Sequence, residues 1–211
     1  MSGMNEKPAQ GSIQGYFQQL AQLIPELPYE SIEQIAAAIL QAFDEERTVF
    51  VFGNGGSAAS ASHMMCDMNK GTIDPERSRR LKVMALTDNV PLMTAWANDS
   101  HYERIFAEQL RNFAQPRDVA FAISGSGNSP NVLHALTAAR ERGAVTVGLA
   151  GYQGGKMKPL CDFCAVVPSD NMQMIEDMHH AMLHAMFTVV RDRIHSGSRQ
   201  VLAAGAGRLK K

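Results

Sequence analysis

His63 and Asp67 stand four residues apart in a stretch that reads as helix, so they share one face. Near the end of the chain Glu176, His180 and His184 repeat at the same interval, with His179 beside them, in a segment otherwise rich in Met and Leu. Ionisable groups along an apolar stripe need partners. Imidazole and carboxylate groups from two helices can hold zinc or a similar divalent ion. The same groups can move protons without a metal. A lone His-x-x-x-Asp is also what a solvated helix face looks like, so the pairing of the two stripes carries the reading. The methionines between them, among them Met172, Met178 and Met186, read as core filler.

Two small-residue turns accompany these helices. Phe50-Val51-Phe52 runs into Gly53-Asn54-Gly55-Gly56-Ser57, and Val119–Ile123 runs into Ser124-Gly125-Ser126-Gly127-Asn128-Ser129-Pro130. Small residues let a backbone approach a ligand closely, and free N–H groups at a helix start favour an anion. In the second turn Ser129 can cap a helix and Pro130 suits its first position. Hydroxyls and backbone N–H groups there can hold a phosphate without Lys or Arg. Neither turn fits a nucleotide loop: there is no G-x-x-x-x-G-K-[ST], and the first turn lacks the third glycine of G-x-G-x-x-G. Asp88, after another apolar run, can bind sugar hydroxyls or cap a helix.

The elements that must position these groups follow from periodicity. Apolar residues at near-helical spacing mark helices in the first ~45 residues, with Ser31 as a candidate cap for the second. After Glu46 short apolar runs alternate with helical stretches: Val49–Phe52, Val83–Leu86, Val119–Ile123, Val145–Leu149 and Phe163–Val167. Strands flanked by helices imply an α/β fold, a doubly wound five-stranded parallel sheet of flavodoxin-like order. Ligands bind such sheets at the carboxyl ends of the strands, where both turns lie. Residues 1–194 are expected to form one domain, the N-terminal helical pair included, and 195–211 a flexible tail. The apolar faces of the first helices need a partner surface, either the sheet or another subunit.

Composition narrows the class. A formal charge of −1 gives no global pull toward nucleic acid or membrane. No apolar run approaches the ~20 residues needed to cross a bilayer. Residues 1–11 lack the plan of a signal peptide, and the expected location is the cytoplasm. Cys66, Cys161 and Cys164 are too few for a disulfide framework, and the Cys161/Cys164 pair reads as packing rather than redox or metal chemistry.

G-N-G-G-S-A-A-x-A-x-H, then S-x-S-G-N-S, then a closing helix with an acid and a His eight apart resembles the sugar isomerase (SIS) domain of phosphoheptose isomerases, over nearly the whole chain. The resemblance implies aldose–ketose isomerisation of sedoheptulose 7-phosphate to D-glycero-D-manno-heptose 7-phosphate through an enediol, a homotetramer, and zinc in the site. It implies that Ser57, Ser124, Ser126 and Ser129 bind phosphate or adjacent hydroxyls, and that Asn54, Gly55 and Gly56 line the sugar with Asp88 beside it. His63, Asp67, Glu176 and His184 match the metal and acid–base positions, Glu176 also facing substrate. Asp67 is the expected base and His184 its partner; a commitment of Asp67 to metal inverts that assignment. The chain departs from the family with Asp67 for Glu, Glu176 for Gln, and Ser124-Gly125-Ser126 for Ser-Thr-Ser. Asp is roughly 1.5 Å shorter in reach, and a misplacement of ~1 Å can cost ~100-fold in rate. Two other readings stay open: a non-catalytic SIS protein that senses phosphosugars or binds a partner, and an isomerase of another sugar phosphate.

Overall fold

Along Thr48–Gly53 the side chains alternate between two apolar environments. Val49 and Val51 enter one core, Phe50 and Phe52 the other. A strand greasy on both faces must be covered on both, which is what a doubly wound sheet supplies. The computed structural model describes residues 11–75 and 78–206, the last ten as backbone alone.

Helices α1 (Ile13–Leu23) and α2 (Tyr29–Asp44) precede β1 (Thr48–Gly53) and α3 (Gly56–Gly71). Then come β2 (Lys82–Ala85), α4 (Val90–Asp99), α5 (Ala107–Phe113), β3 (Val119–Ser124), α6 (Pro130–Glu141), β4 (Val145–Ala150), β5 (Phe163–Val166) and α7 (Met172–Ala206). Each apolar run read from the sequence is a strand. All pair in parallel, in the order β2-β1-β3-β4-β5. The order reverses between β1 and β3, so the connections leaving these neighbours diverge and open a crevice at their carboxyl ends. Both small-residue turns flank that crevice.

The two cores sort the helices. One gathers Ile35 and Ile39 of α2, Met64 and Met68 of α3, and Ile175, Met182 and Met186 of α7. The other gathers Leu110 of α5 with Val132 and Leu136 of α6. The methionines of α7 are thus packing. Cys161 and Cys164 pack too: their sulfurs lie 2.9 and 3.5 Å from where a Cβ on Gly148 would sit. The Cys161 thiol is held protonated by its hydrogen bond to Cys164, and the same bond lowers Cys164.

Two expectations change. Ser31 does not cap α2, which starts two residues earlier, after Pro28. Proline fixes its own φ, and the Tyr29 hydroxyl donates to the Ile24 carbonyl at 2.8 Å, so the entry is set from upstream. The closing helix does not stop at Ile194. It continues to Ala206, because the stretch after His195 contains no proline and several strong helix formers. The tail expected from residue 195 is therefore helical to 206, and 207–211 lie outside the described residues.

Candidate active site

The first turn owes its shape to Gly53 and Gly55. A Cβ on Gly53 would fall 2.6 Å from the Ile123 carbonyl oxygen and 2.7 Å from Ser57 Cβ, so only glycine lets α3 start so close to β3. Gly55 takes φ 55°, ψ −122°, a region reserved for glycine. The chain then turns at once into α3, with Ser57 N–H donating to Asn54 O at 3.0 Å. Ser57 is buried at this helix start.

The second turn is held by its own atoms. Gly127 N–H donates to both Ser124 O (3.0 Å) and Ser124 Oγ (3.2 Å), and Asn128 N–H donates to Ser126 Oγ at 3.2 Å. These backbone donors are spent inside the loop, which narrows the cradle expected from the sequence. What the serines keep is the useful part: a hydroxyl that accepts from an amide still has its own proton to donate. Ser129 sits at the N-cap of α6 without using its side chain there, and Pro130 follows as expected. A second loop braces the turn from below. Gly127, at φ +63°, has Gly154 O only 2.2 Å from the position of a Cβ, and Met157 N–H donates to Gly127 O at 2.9 Å. The space beside Gly125 is filled by Met172, whose sulfur would lie 2.5 Å from a Cβ there, so a larger residue at this position would displace packing under α7.

α3 and α7 bring their ionisable stripes together. His63 Nε2 lies 3.0 Å from His184 Nε2 and 3.1 Å from Asp67 Oδ2, and His184 Nε2 is 3.7 Å from the same oxygen. All three side chains are partly open to solvent. Ligand atoms at ~2.0–2.1 Å around one tetrahedral zinc stand roughly 3.3 Å apart, so this triangle is the right size for such an ion. His180 joins them: the ligand nitrogens of His63, His180 and His184 all lie within 4.8 Å of one another. Burial, then the neighbouring His184 and His63, push the His180 pKa down, which favours the neutral ring that ligates metal.

Glu176 stands outside this donor group. It lies two helical turns from His184, ~12 Å along α7, and its carboxylate oxygens approach the Cβ position of Gly56 to 3.5 Å. The spacing that suggested Glu176 as a ligand holds along the stripe, but α3 runs beside that stripe with its first residue, Gly56, facing Glu176, and His63, two turns further on, facing His180 and His184. Glu176 instead lines a cavity of about 190 Å³ with Gly56, Ser57, Ser60 and His180. His179, on the core side of α7, is buried, and its Nε2–H donates to the Ala150 carbonyl at 3.0 Å. Burial lowers its pKa to about 4.

Asp88 accepts hydrogen bonds from the hydroxyls of Ser62 and, at 3.3 Å, Thr87. It therefore ties the end of β2 to α3 at the residue before His63. The helix-capping role falls to its neighbour Asn89, whose Oδ1 accepts from Leu92 N–H at 3.2 Å.

His180 stood in the four-residue stripe read from the sequence, though outside the set that the resemblance implied. Nothing in the sequence singled out Asn131. Its side chain is buried and exchanges two hydrogen bonds of 2.8 Å with the carboxamide of Asn54.

The SIS domain family profile matches residues 15–151. A phosphoheptose isomerase of Rhodospirillum rubrum is 40% identical over 166 residues, covering 79% of this chain and 87% of the relative. One of Helicobacter pylori (strain P12) is 38% identical over 157 residues, 74% of this chain and 81% of the relative. Among solved structures, phosphoheptose isomerase GmhA from Neisseria gonorrhoeae superposes with a TM-score of 0.79 at 30% identity, covering 85% of this chain and 97% of that one. A phosphoheptose isomerase from Francisella tularensis gives 0.79 at 29% identity, over 85% and 96%.

Proposed function

This chain belongs to the SIS-domain family and to its phosphoheptose isomerases, and on that premise we propose that it interconverts sedoheptulose 7-phosphate and D-glycero-D-manno-heptose 7-phosphate through an enediol. The observation that carries the reading is the convergence of His63, Asp67 and His184 within 3.0–3.7 Å on α3 and α7, two helices set side by side.

The phosphate sits on the hydroxyls of Ser124, Ser126 and Ser129, each of which keeps a proton to donate, with Ser57 at the start of α3. Asn54, Gly55 and Gly56 line the sugar, and Glu176, against Gly56, faces it from α7. Asp88 completes this wall through Ser62. Asp67 takes the proton from C1 of the ketose and returns it to C2 of the enediol, giving the aldose. His184 moves the proton between the two oxygens. His63, His180 and His184 would hold a divalent ion such as zinc, which when bound polarises the substrate carbonyl.

We take residues 1–194 as one SIS unit, acting in the cytoplasm as a homotetramer. Supporting the assembly, α1, the connection after it and the start of α2 expose Ile13, Phe17, Ile24 and Tyr29, beside an apolar groove between α2 and α7 lined by Ile32, Met182 and Val189. Among the described residues no helix is long and apolar enough to cross a membrane.

The test is to incubate metal-loaded and chelated protein with sedoheptulose 7-phosphate and follow the aldose product. Turnover that depends on metal is the expected result. Tight binding of the sugar phosphate with no product in either sample would overturn the enzyme in favour of a sensor.

A further inference from the structure

Asn54 lies in the first of the turns that flank the crevice and Asn131 in the first turn of α6, directly after the second, and their carboxamides are matched edge to edge. Asn54 Nδ2 donates to Asn131 Oδ1 at 2.8 Å, and Asn131 Nδ2 donates to Asn54 Oδ1 at 2.8 Å. The orientation of the pair is fixed by a group that cannot reverse. Val132 N–H, a donor only, is shared between Ser129 O and Asn131 Oδ1, each at 3.0 Å, and would be set against a second donor if the amide were reversed. That sets which atom of Asn131 is oxygen, and the reciprocal pairing then sets Asn54. Tyr102 Oη donates to Asn54 Oδ1 at 3.3 Å. Both acceptor sites of Asn54 are thereby filled. Of its amide only the second Nδ2 hydrogen remains, so Asn54 can offer a ligand a donor and nothing else. Asn131 is 2% exposed.

We propose that Asn131 is a positioning residue for the isomerase. Its buried carboxamide ties the sugar turn, Asn54–Ser57, to the phosphate turn, Ser124–Ser129, and turns Asn54 into an obligate hydrogen-bond donor to a sugar oxygen. The inference rests on the proposed isomerase function. It differs from a general stabilising role because it makes Asn131 act through Asn54 alone. The phosphate turn holds its own shape through Ser124 and Ser126. Loss of the amide pair therefore leaves the phosphate anchored while the carbonyl end of the sugar shifts relative to Asp67 and His184.

Asn131→Asp is the informative variant. It keeps the size and the acceptor for Val132 N–H, and an acid in the first turn of α6 is favourable to the helix. It replaces the donor to Asn54 Oδ1 by a second oxygen. With sedoheptulose 7-phosphate, kcat is expected to fall about 10- to 100-fold, the range set by a misplacement of up to ~1 Å. KM should stay near the wild-type value, while the thermal midpoint falls because the new carboxylate is buried against the Asn54 oxygen. Asn54→Ala should remove most of the effect, so that the double variant is no worse than Asn54→Ala by itself. Asn131→Ala serves as a second variant with the same expected kinetics. Wild-type kinetics in Asn131→Asp, or losses that multiply in the double variant, overturn the inference while leaving the isomerase intact. A wild-type protein that does not turn over the sugar phosphate sinks the isomerase reading and this inference with it.

Discussion

Gly127→Ala asks how much of the phosphate cradle is backbone geometry. Two costs add at this position. The residue has φ +63°, where a Cβ costs about 1–2 kcal/mol. The new Cβ would also lie 2.2 Å from Gly154 O, a backbone atom with no rotamer to yield, so one of the two loops must move by about 1 Å. Overpacking of this kind costs about 1–3 kcal/mol. The sum, about 2–5 kcal/mol, is a large part of the 5–15 kcal/mol that holds a domain together. The displaced element is the turn carrying Ser124, Ser126 and Ser129, so turnover should fall by up to ~100-fold for a 1 Å shift. Gly143 is the internal control. It has φ +73° but only ordinary contacts, Pro116 Cβ at 3.5 Å, and it lies past the end of α6, away from the strand ends that carry the site. Gly143→Ala should therefore cost only the conformational ~1–2 kcal/mol and leave kcat/KM unchanged. Urea denaturation at one temperature gives both stabilities, and steady-state kinetics gives both activities. If the two variants lose equal stability, or if Gly127→Ala keeps wild-type turnover, the braced-loop account of the cradle is wrong.

Three further outcomes follow from the site. Asp67→Asn keeps the shape and hydrogen-bond reach of the side chain but removes the base, so kcat should fall about 10²- to 10⁴-fold; unchanged turnover would move the base elsewhere. His180→Ala should lower the zinc retained after dialysis, measured by elemental analysis, whereas Glu176→Gln should leave it near wild type; the reverse ranking would restore Glu176 as the ligand. His179 bears on pH. Its folded pKa is about 4, against 6.5 for the unperturbed group, because burial disfavours the charged ring. Between those values the unfolded chain binds more protons, so the neutral buried ring contributes stability above about pH 6.5 that is lost as pH falls toward 4, by about 3 kcal/mol in all. His179→Asn should flatten the urea midpoint between pH 7 and 4.5. An unchanged slope would mean that this ring does not govern it.

The five strands, their parallel pairing and the placement of both turns at strand ends were legible because they rest on local signals. Val49–Phe52 and Val119–Ile123 are apolar on both faces, and such runs have few other uses. The glycines and serines of the turns were visible for the same reason. The place of Glu176 relative to the histidines was not legible, for a definite cause. A four-residue stripe says which side chains share a face of α7, but not the register in which α3 runs beside it. That register sets Gly56 against Glu176 and brings His63 to His180 and His184. Likewise nothing in Ser31 announced that Pro28 would already have begun α2.

By itself the sequence determined what is set by neighbours along the chain: the doubly wound sheet, the two small-residue turns, the hydroxyls at Ser124–Ser129, and the helical face shared by His63 and Asp67. The tertiary structure decided what depends on the distance between elements far apart in sequence. It closed the triangle of His63, Asp67 and His184, spent the backbone donors of the serine turn inside the loop, filled the space beside Gly125 with Met172, and matched Asn54 to Asn131. The reason is one of reach. A side chain's type fixes what it can donate or accept, but hydrogen bonds and metal ligation act over ~3 Å, and only the packing of α3, α6 and α7 on the sheet brings the partners that close.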